Sequence, residues 1–184
     1  SLVLDGGVTH LVTALISSDT CHTERDLVMR ILLNLSREPL DQEALCASQI
    51  IPPLVNKIKD ADNILDAVQH GIVTVLAELA RKYTHHEYLR QQGMIQILIK
   101  LLSEGQTATK EQAAKALNEL ASDAKSENQR MIRESRGIIA LVKAKGTGSE
   151  AAQAYASSTL AKLAETSDSV TGGDTKIPPW SPRR

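Results

Sequence analysis

The fold class predicted by this sequence is an all-α solenoid of about four stacked helical repeats, and three observations predict it. First, the six prolines sit at Pro39, Pro52, Pro53, Pro178, Pro179 and Pro182, leaving Leu54 to Ile177 free of the residue that most disrupts helix interiors. Second, the 184 residues include 23 Leu and 21 Ala but no Phe, so the core must be small, aliphatic and built from good helix formers. Third, two apolar signatures recur along the chain. One begins at Gly7, Ile50, Gly93 and Gly137, with spacings of 43, 43 and 44 residues, and the other at Val28, Ile72, Ala113 and Ala156, with spacings of 44, 41 and 43. Two independent signatures holding one period indicate stacked units of about 40 to 47 residues.

The coarse reading places helices near Thr9 to Ile16, Glu24 to Leu35, Asp41 to Ala47, Pro52 to Lys59, Ile64 to Arg81, His86 to Gln92, Met94 to Leu102, Thr109 to Ser122, Glu127 to Glu134, Ile138 to Lys143 and Glu150 to Thr166. Pro52 and Pro53 fall in a first helical turn, where amide hydrogens lack intrahelical partners, so they start a helix rather than break one. Gly93 and Gly137 suit positions that need positive φ between two helices, with Ile50 standing in that place in the second unit. The long helices carry apolar residues at i, i+3, i+4 and i+7: Ile72, Val75, Leu76 and Leu79 in one, Ala113, Ala116, Leu117 and Leu120 in another. One repeat cannot bury such a stripe alone, so stability must come from stacking. The units run over about 1–49, 50–92, 93–136 and 137–166, with a polar tail at 167–184. The opening SLVLDGG reads as the end of a helix begun earlier, which suggests a piece of a longer protein.

Charge and composition narrow the function. With 21 basic and 22 acidic residues and only three Tyr and one Trp, the chain lacks the basic, aromatic-studded groove of a nucleic-acid binder. No stretch reaches the length of a membrane span. Cys21 and Cys46 belong to no CxxC motif and are expected as buried structural thiols in a reduced compartment, cytoplasmic with the nucleus as alternative. His85 and His86 are adjacent, which prevents a helix from aiming both at one metal, and they are expected as solvated turn residues. Gly146 and Gly148 in KGTGS lack the rest of a phosphate loop. No catalytic constellation, metal site or cofactor is expected.

The frame from Ala113 to Ala121 resembles the armadillo repeat, whose long helix follows A-A-W-A-L-x-N-L-A, and QIIPPLV is similar to the family's GAIPPLV. The resemblance covers about Leu2 to Ala164 and implies a right-handed α-solenoid of about four armadillo-like repeats. In this family the long helices line a groove that holds extended peptides. Carried over residue by residue, the Trp and Asn places fall on Arg30 and Asn34, Thr74 and Glu78, Lys115 and Glu119, and Ser158 and Lys162. Asn34 alone matches the family's Asn and no Trp place holds Trp, a departure from the importin-type groove that disfavours a nuclear-import adaptor. The implied function is a non-catalytic scaffold for a protein or peptide partner. The alternatives are a chaperone-like client-binding module of the myosin-chaperone type, or a regulatory domain whose own tail occupies the groove or mediates self-association. As solvent-facing groups, Arg30, Asn34, Lys115 and Lys162 should be replaceable by Ala with little change in stability. In the tail, Ile177 and Trp180 are the sizeable apolar groups, and Trp180 is the expected anchor on the uncovered flank around Tyr155, Thr159 and Leu163.

Overall fold

A computed structural model describes residues 6–17, 21–59, 66–122 and 127–170. These hold eleven α-helices, one 3-10 turn at Tyr83–His85, and no strand among the described residues. In order they are α1 (Gly7–Ile16), α2 (His22–Arg37), α3 (Pro39–Ala47), α4 (Ile51–Lys59), α5 (Asp66–Ala80), α6 (His86–Gln91), α7 (Met94–Glu104), α8 (Thr107–Leu120), α9 (Glu127–Glu134), α10 (Gly137–Thr147) and α11 (Glu150–Val170). The last helix runs four residues past the expected end at Thr166. The expected helix start at Ile64, and the tail with Ile177 and Trp180, lie outside the described residues.

The helices form two layers. In one, the long helices α2, α5, α8 and α11 pack side by side in chain order; in the other, α1, α4, α7 and α10 do the same. The short helices α3, α6 and α9 link each long helix to the next unit. Between the layers lies one continuous aliphatic core, in which Leu32, Ile72, Leu76, Leu98, Leu117 and Leu141 are completely buried. Each repeat therefore buries part of its apolar surface against its neighbours.

In two of the units the turn before the second-layer helix differs from the sequence expectation by one residue. The left-handed positions are Gly6 (φ +74°), Gln49 (+53°), Gly93 (+76°) and Arg136 (+62°). Gly93 thus does what its type suggests, whereas Gln49 and Arg136, rather than Ile50 and Gly137, carry the turn in their units. Ile50 is a buried core residue, and Gly137 is the first residue of α10. Gly137 is small for a different reason: a Cβ there would lie 2.4 Å from the Ile132 carbonyl oxygen and 3.0 Å from Ile99 Cδ1. The glycine lets α9, α7 and α10 meet.

In this corrected register, structurally equivalent positions can be followed through all four units. Val8, Ile51 and Ile95 are fully buried by the next second-layer helix, but their counterpart Ile138 is 41% exposed. Val12, Val55 and Ile99 are likewise buried, and their counterpart Val142 is 56% exposed. The flank expected to be open differs in detail, since Thr159 and Leu163 are buried within α11's own packing while Tyr155 is half-buried. Among the described residues, it is α10 whose outer flank stays exposed at Ile138 and Val142.

Candidate functional site

The predicted groove residues lie on the outward face of the long-helix layer, where residues four apart share one helical face. Arg30 and Asn34 on α2 and Ser158 on α11 are exposed, whereas Thr74, Lys115, Glu119 and Lys162 are half-buried and Glu78 is buried. Several of them meet across helices. Lys115 Nζ on α8 donates to Glu78 Oε1 on α5 at 2.7 Å, and Arg81 Nη1 donates to Glu78 Oε2 at 3.1 Å. Burial opposes the charge on Glu78, but the two hydrogen bonds and the two cations outweigh it and hold the carboxyl below its usual pKa. One unit further on, Lys162 Nζ reaches from α11 to the Asn118 carbonyl oxygen at 2.8 Å, Asn118 Oδ1 at 2.9 Å and Ser122 Oγ at 3.0 Å. Burial pulls the pKa of Lys162 down, and the negative charge of Glu119 partly restores it. Thr74 turns inward to its own helix, its hydroxyl donating to the His70 carbonyl at 2.8 Å.

Two roles therefore separate on this face. Glu78, Lys115 and Lys162 tie neighbouring helices together, and Arg30, Asn34 and Ser158 remain presented to solvent. Asn118, Ser122 and Arg81 complete the ties and were not found by carrying the motif over. A weak signal for Asn118 existed, since it precedes the Asn place by one residue, but the pairing spans 44 positions of chain and is set only by stacking.

His85 and His86 are a correction. They are buried, 6% exposed each, and not solvated. His85 Nδ1 meets the Leu79 carbonyl at 3.2 Å and His86 Nε2 meets the Ala80 carbonyl at 2.7 Å, where the ring nitrogens act as donors to the end of α5. The next unit does the same with amides: Asn128 Nδ2 donates to the Leu120 carbonyl at 3.1 Å and Gln129 Nε2 to the Ala121 carbonyl at 2.8 Å. In the first unit Gln42 Nε2 donates to the Ser36 carbonyl at 2.6 Å. Helix ends leave carbonyls without intrahelical donors, so α2, α5 and α8 are each closed by polar side chains of the following short helix or the turn leading into it. The 43-residue offset between the His85–His86 and Asn128–Gln129 pairs was the sequence signal for this shared role.

The histidine version carries a pH dependence. Burial lowers the pKa of His85; Lys82 and His86 act in the same direction, while the Leu79 carbonyl and Glu43 oppose them. An unfolded His titrates near ~6.5. Since the folded value is lower, the stabilisation is fully present above the unfolded value and is lost as pH falls from there through the folded value. Replacing the pair with the amides of the next unit, His85→Asn with His86→Gln, should flatten the fall in urea midpoint between pH 7 and 5. An unchanged slope would show that His85 does not couple to folding.

The cysteines differ from each other. Cys21 is exposed at the start of α2, contrary to the expectation of burial, while Cys46 is half-buried. Burial raises the Cys46 pKa to about 11, with Lys82 opposing and Glu43 adding to the effect, so its thiol stays protonated and weakly nucleophilic at neutral pH. No helix among the described residues is long and apolar enough to cross a membrane.

Residues 84–122, which span the turn into α6 and then α7 and α8, match the family described as Armadillo/beta-catenin-like repeat. Among solved structures, the chain is similar to a designed armadillo repeat protein, YIII(Dq.V1)4CPAF, in complex with peptide (KR)4, at 22% identity and a TM-score of 0.73 over 86% of this chain and 70% of that one. It is also similar to computationally designed armadillo repeat proteins for modular peptide recognition, at 21% identity and a TM-score of 0.77 over 92% of this chain and 71% of that one. The fold is the armadillo solenoid. A second designed armadillo repeat protein, YIII(Dq)4CqI, matches at 22% identity and a TM-score of 0.75, over 88% of this chain and 66% of that one. No curated protein matches the chain in sequence. α2, α5, α8 and α11 form one layer of that solenoid, and the cross-helix ties of Glu78, Lys115 and Lys162 run between its neighbouring helices.

Proposed function

We propose that this armadillo chain is a non-catalytic scaffold that holds an extended segment of a partner protein along the face of α2, α5, α8 and α11. The observation that carries the reading is the division of labour on that face. Glu78 with Lys115, and Lys162 with Asn118, fix the spacing of the helices, while Arg30 and Asn34 remain exposed on the first long helix and Ser158 on the last. An Asn side chain offers a donor and an acceptor together, which matches a peptide backbone, and Arg30 adds a forked donor for a carboxylate or carbonyl. The buried ties cost the ligand nothing, because the helices they position are already ordered. The peptide-bound designed relative and the designs made for modular peptide recognition lend the same support at the level of the fold. With both signs of charge in the groove, the face suits a mixed polar peptide better than a polyanion such as nucleic acid. We assign the chain to the cytoplasm or nucleus on its sparse, unpaired cysteines.

The test is selection from a displayed library of random peptides, followed by Arg30→Ala with Asn34→Ala in the same chain. Losing hydrogen bonds to a charged group costs about 1.5–3 kcal/mol, so affinity should fall roughly tenfold or more. The melting temperature should barely move, because exposed substitutions usually stay within about 0.5 kcal/mol. Lys115→Ala and Lys162→Ala differ from the sequence expectation here. They leave Glu78 and Asn118 short of a partner and should cost about 1–3 kcal/mol of stability each. Full retention of peptide affinity in the Arg30 and Asn34 variant would move the site off this face.

A further inference from the structure

One solvent-facing stripe of the second-layer helices can be compared unit by unit, because it keeps the spacing i, i+3 and i+7 from the left-handed turn residue. In the first three units it reads Gly6, Thr9 and Thr13; Gln49, Pro52 and Asn56; and Gly93, Gln96 and Lys100. In the fourth it reads Arg136, Ile139 and Lys143: a cation, an apolar side chain and a cation. Residues at this spacing share one helical face, so the three stand in a row.

We propose that this row is a second binding site, for an extended acidic peptide that carries an apolar residue between two carboxylates. Three observations support it. The first is shape. The row borders an open cleft of about 500 Å³ between α10 and α7, which pack side by side, and that volume falls in the range of ordinary ligand sites. The buried side chains of Ile99 and Ala140 floor the cleft, and Lys100 joins it from α7.

The second observation is charge. Lys100, Arg136 and Lys143 line the cleft against a single carboxylate, Glu104, in a chain whose net charge is −1. Arg81, Lys115 and Arg130 each hold a carboxylate, whereas none of the three cleft cations takes part in an ion pair among the described residues. Their charge is left for a ligand. Ile139, 69% exposed between two of them, offers apolar contact that a bare phosphate or a polyanion could not use.

The third is the backbone of Arg136. Its φ of +62° is one that Gly6 and Gly93 adopt freely at the same place in their units, while a side chain makes it strained. An Arg kept where Gly fits better points to work done by its guanidinium, and strained residues of this kind gather at functional sites.

The spacing suits an extended peptide. Arg136 and Lys143 are separated by about 10 Å along α10, at about 1.5 Å per residue. Alternate side chains of an extended strand point to one side about 6.6 Å apart, so an acid–x–apolar–x–acid segment spans about 13 Å. The flexible stems of Arg and Lys take up the difference. This cleft lies in the layer of α7 and α10, away from the face of α2, α5, α8 and α11, so it stands or falls independently of the scaffold reading.

The test is fluorescence anisotropy of a labelled peptide, Gly-Glu-Ser-Leu-Ser-Glu-Gly, titrated with the 184-residue chain at low salt. Arg136→Gly should weaken binding about tenfold or more, because a charge-assisted hydrogen bond is lost. Its urea midpoint should hold or rise, a combination that a merely structural role would not give. Ile139→Ser should weaken binding several-fold, replacing both Glu of the peptide by Gln should abolish it, and Arg30→Ala with Asn34→Ala should leave it unchanged. Absence of saturable binding overturns the proposal, as does affinity retained by the Gln peptide or by the chain with Arg136→Gly and Lys143→Ala. So does unchanged affinity in Ile139→Ser, or displacement of the peptide by phosphatidylserine vesicles, either of which would make the row a general electrostatic patch.

Discussion

Leu117→Asp is expected to abolish cooperative folding of the central repeats. Leu117 sits on α8, is completely inaccessible, and belongs to the stripe by which α8 packs between its neighbours in the long-helix layer. Truncating a buried Leu costs about 2–5 kcal/mol by itself, and forcing an unpaired carboxylate into the same space adds several more, so the total is about 5 kcal/mol or above. A solenoid of this size has no distant core to absorb the loss, because each unit is stabilised chiefly by its neighbours. Circular dichroism at 25 °C should show a large loss of helix, not a local fraying. Near-native helicity with a small shift in melting temperature would mean that α8 does not pack as described.

The second large effect is Gly137→Ala, where two forces oppose each other. Ala is favoured over Gly inside a helix by about 1 kcal/mol, which alone would make the change stabilising. The new Cβ, however, would lie 2.4 Å from the Ile132 carbonyl oxygen, 2.6 Å from Ile132 Cγ2 and 3.0 Å from Ile99 Cδ1. A backbone carbonyl cannot swing aside as a side-chain tip can, and overpacking of this kind costs about 1–3 kcal/mol or more. Overpacking should win, with a net loss of about 2 kcal/mol once helices α7, α9 and α10 have been pushed apart. Arg136→Gly should go the other way. The left-handed conformation costs a residue with a side chain about 1–2 kcal/mol, and the extra freedom of Gly in the unfolded chain returns about 0.4–1 kcal/mol of that, leaving a small gain. Urea denaturation of the two variants decides the register, for if Gly137 held the turn instead, Arg136→Gly would weaken the chain.

The same pair of residues shows what the sequence could and could not disclose. Helix existence followed from apolar spacing so directly that α9 begins at Glu127 and ends at Glu134 in both the expectation and the structure. The repeat period placed the long helices in register. The turn residue was misplaced because composition marks a left-handed position only when Gly fills it. Here Gln49 and Arg136 adopt that conformation under the packing of the helices on either side, and Gly137 answers a steric demand from Ile132 that arises only once three helices are assembled. The long-helix layer was legible, but the network across it was not. Glu78 and Lys115 are 37 residues apart in the chain, and nothing local marks one as the partner of the other. The histidines were misread because adjacency rules out a shared metal but says nothing of two carbonyls left open at the end of α5, which become visible only when α6 is seen lying against them.

The central claim, that the face of α2, α5, α8 and α11 receives an extended peptide, is tested most directly by amide chemical-shift mapping of the isotopically labelled chain titrated with a peptide selected from a random library. The account predicts shifts concentrated on the outward residues of those four helices, strongest around Arg30, Asn34 and Ser158, with α1, α4, α7 and α10 largely unmoved. Shifts confined to the second layer or to the connecting turns would contradict it.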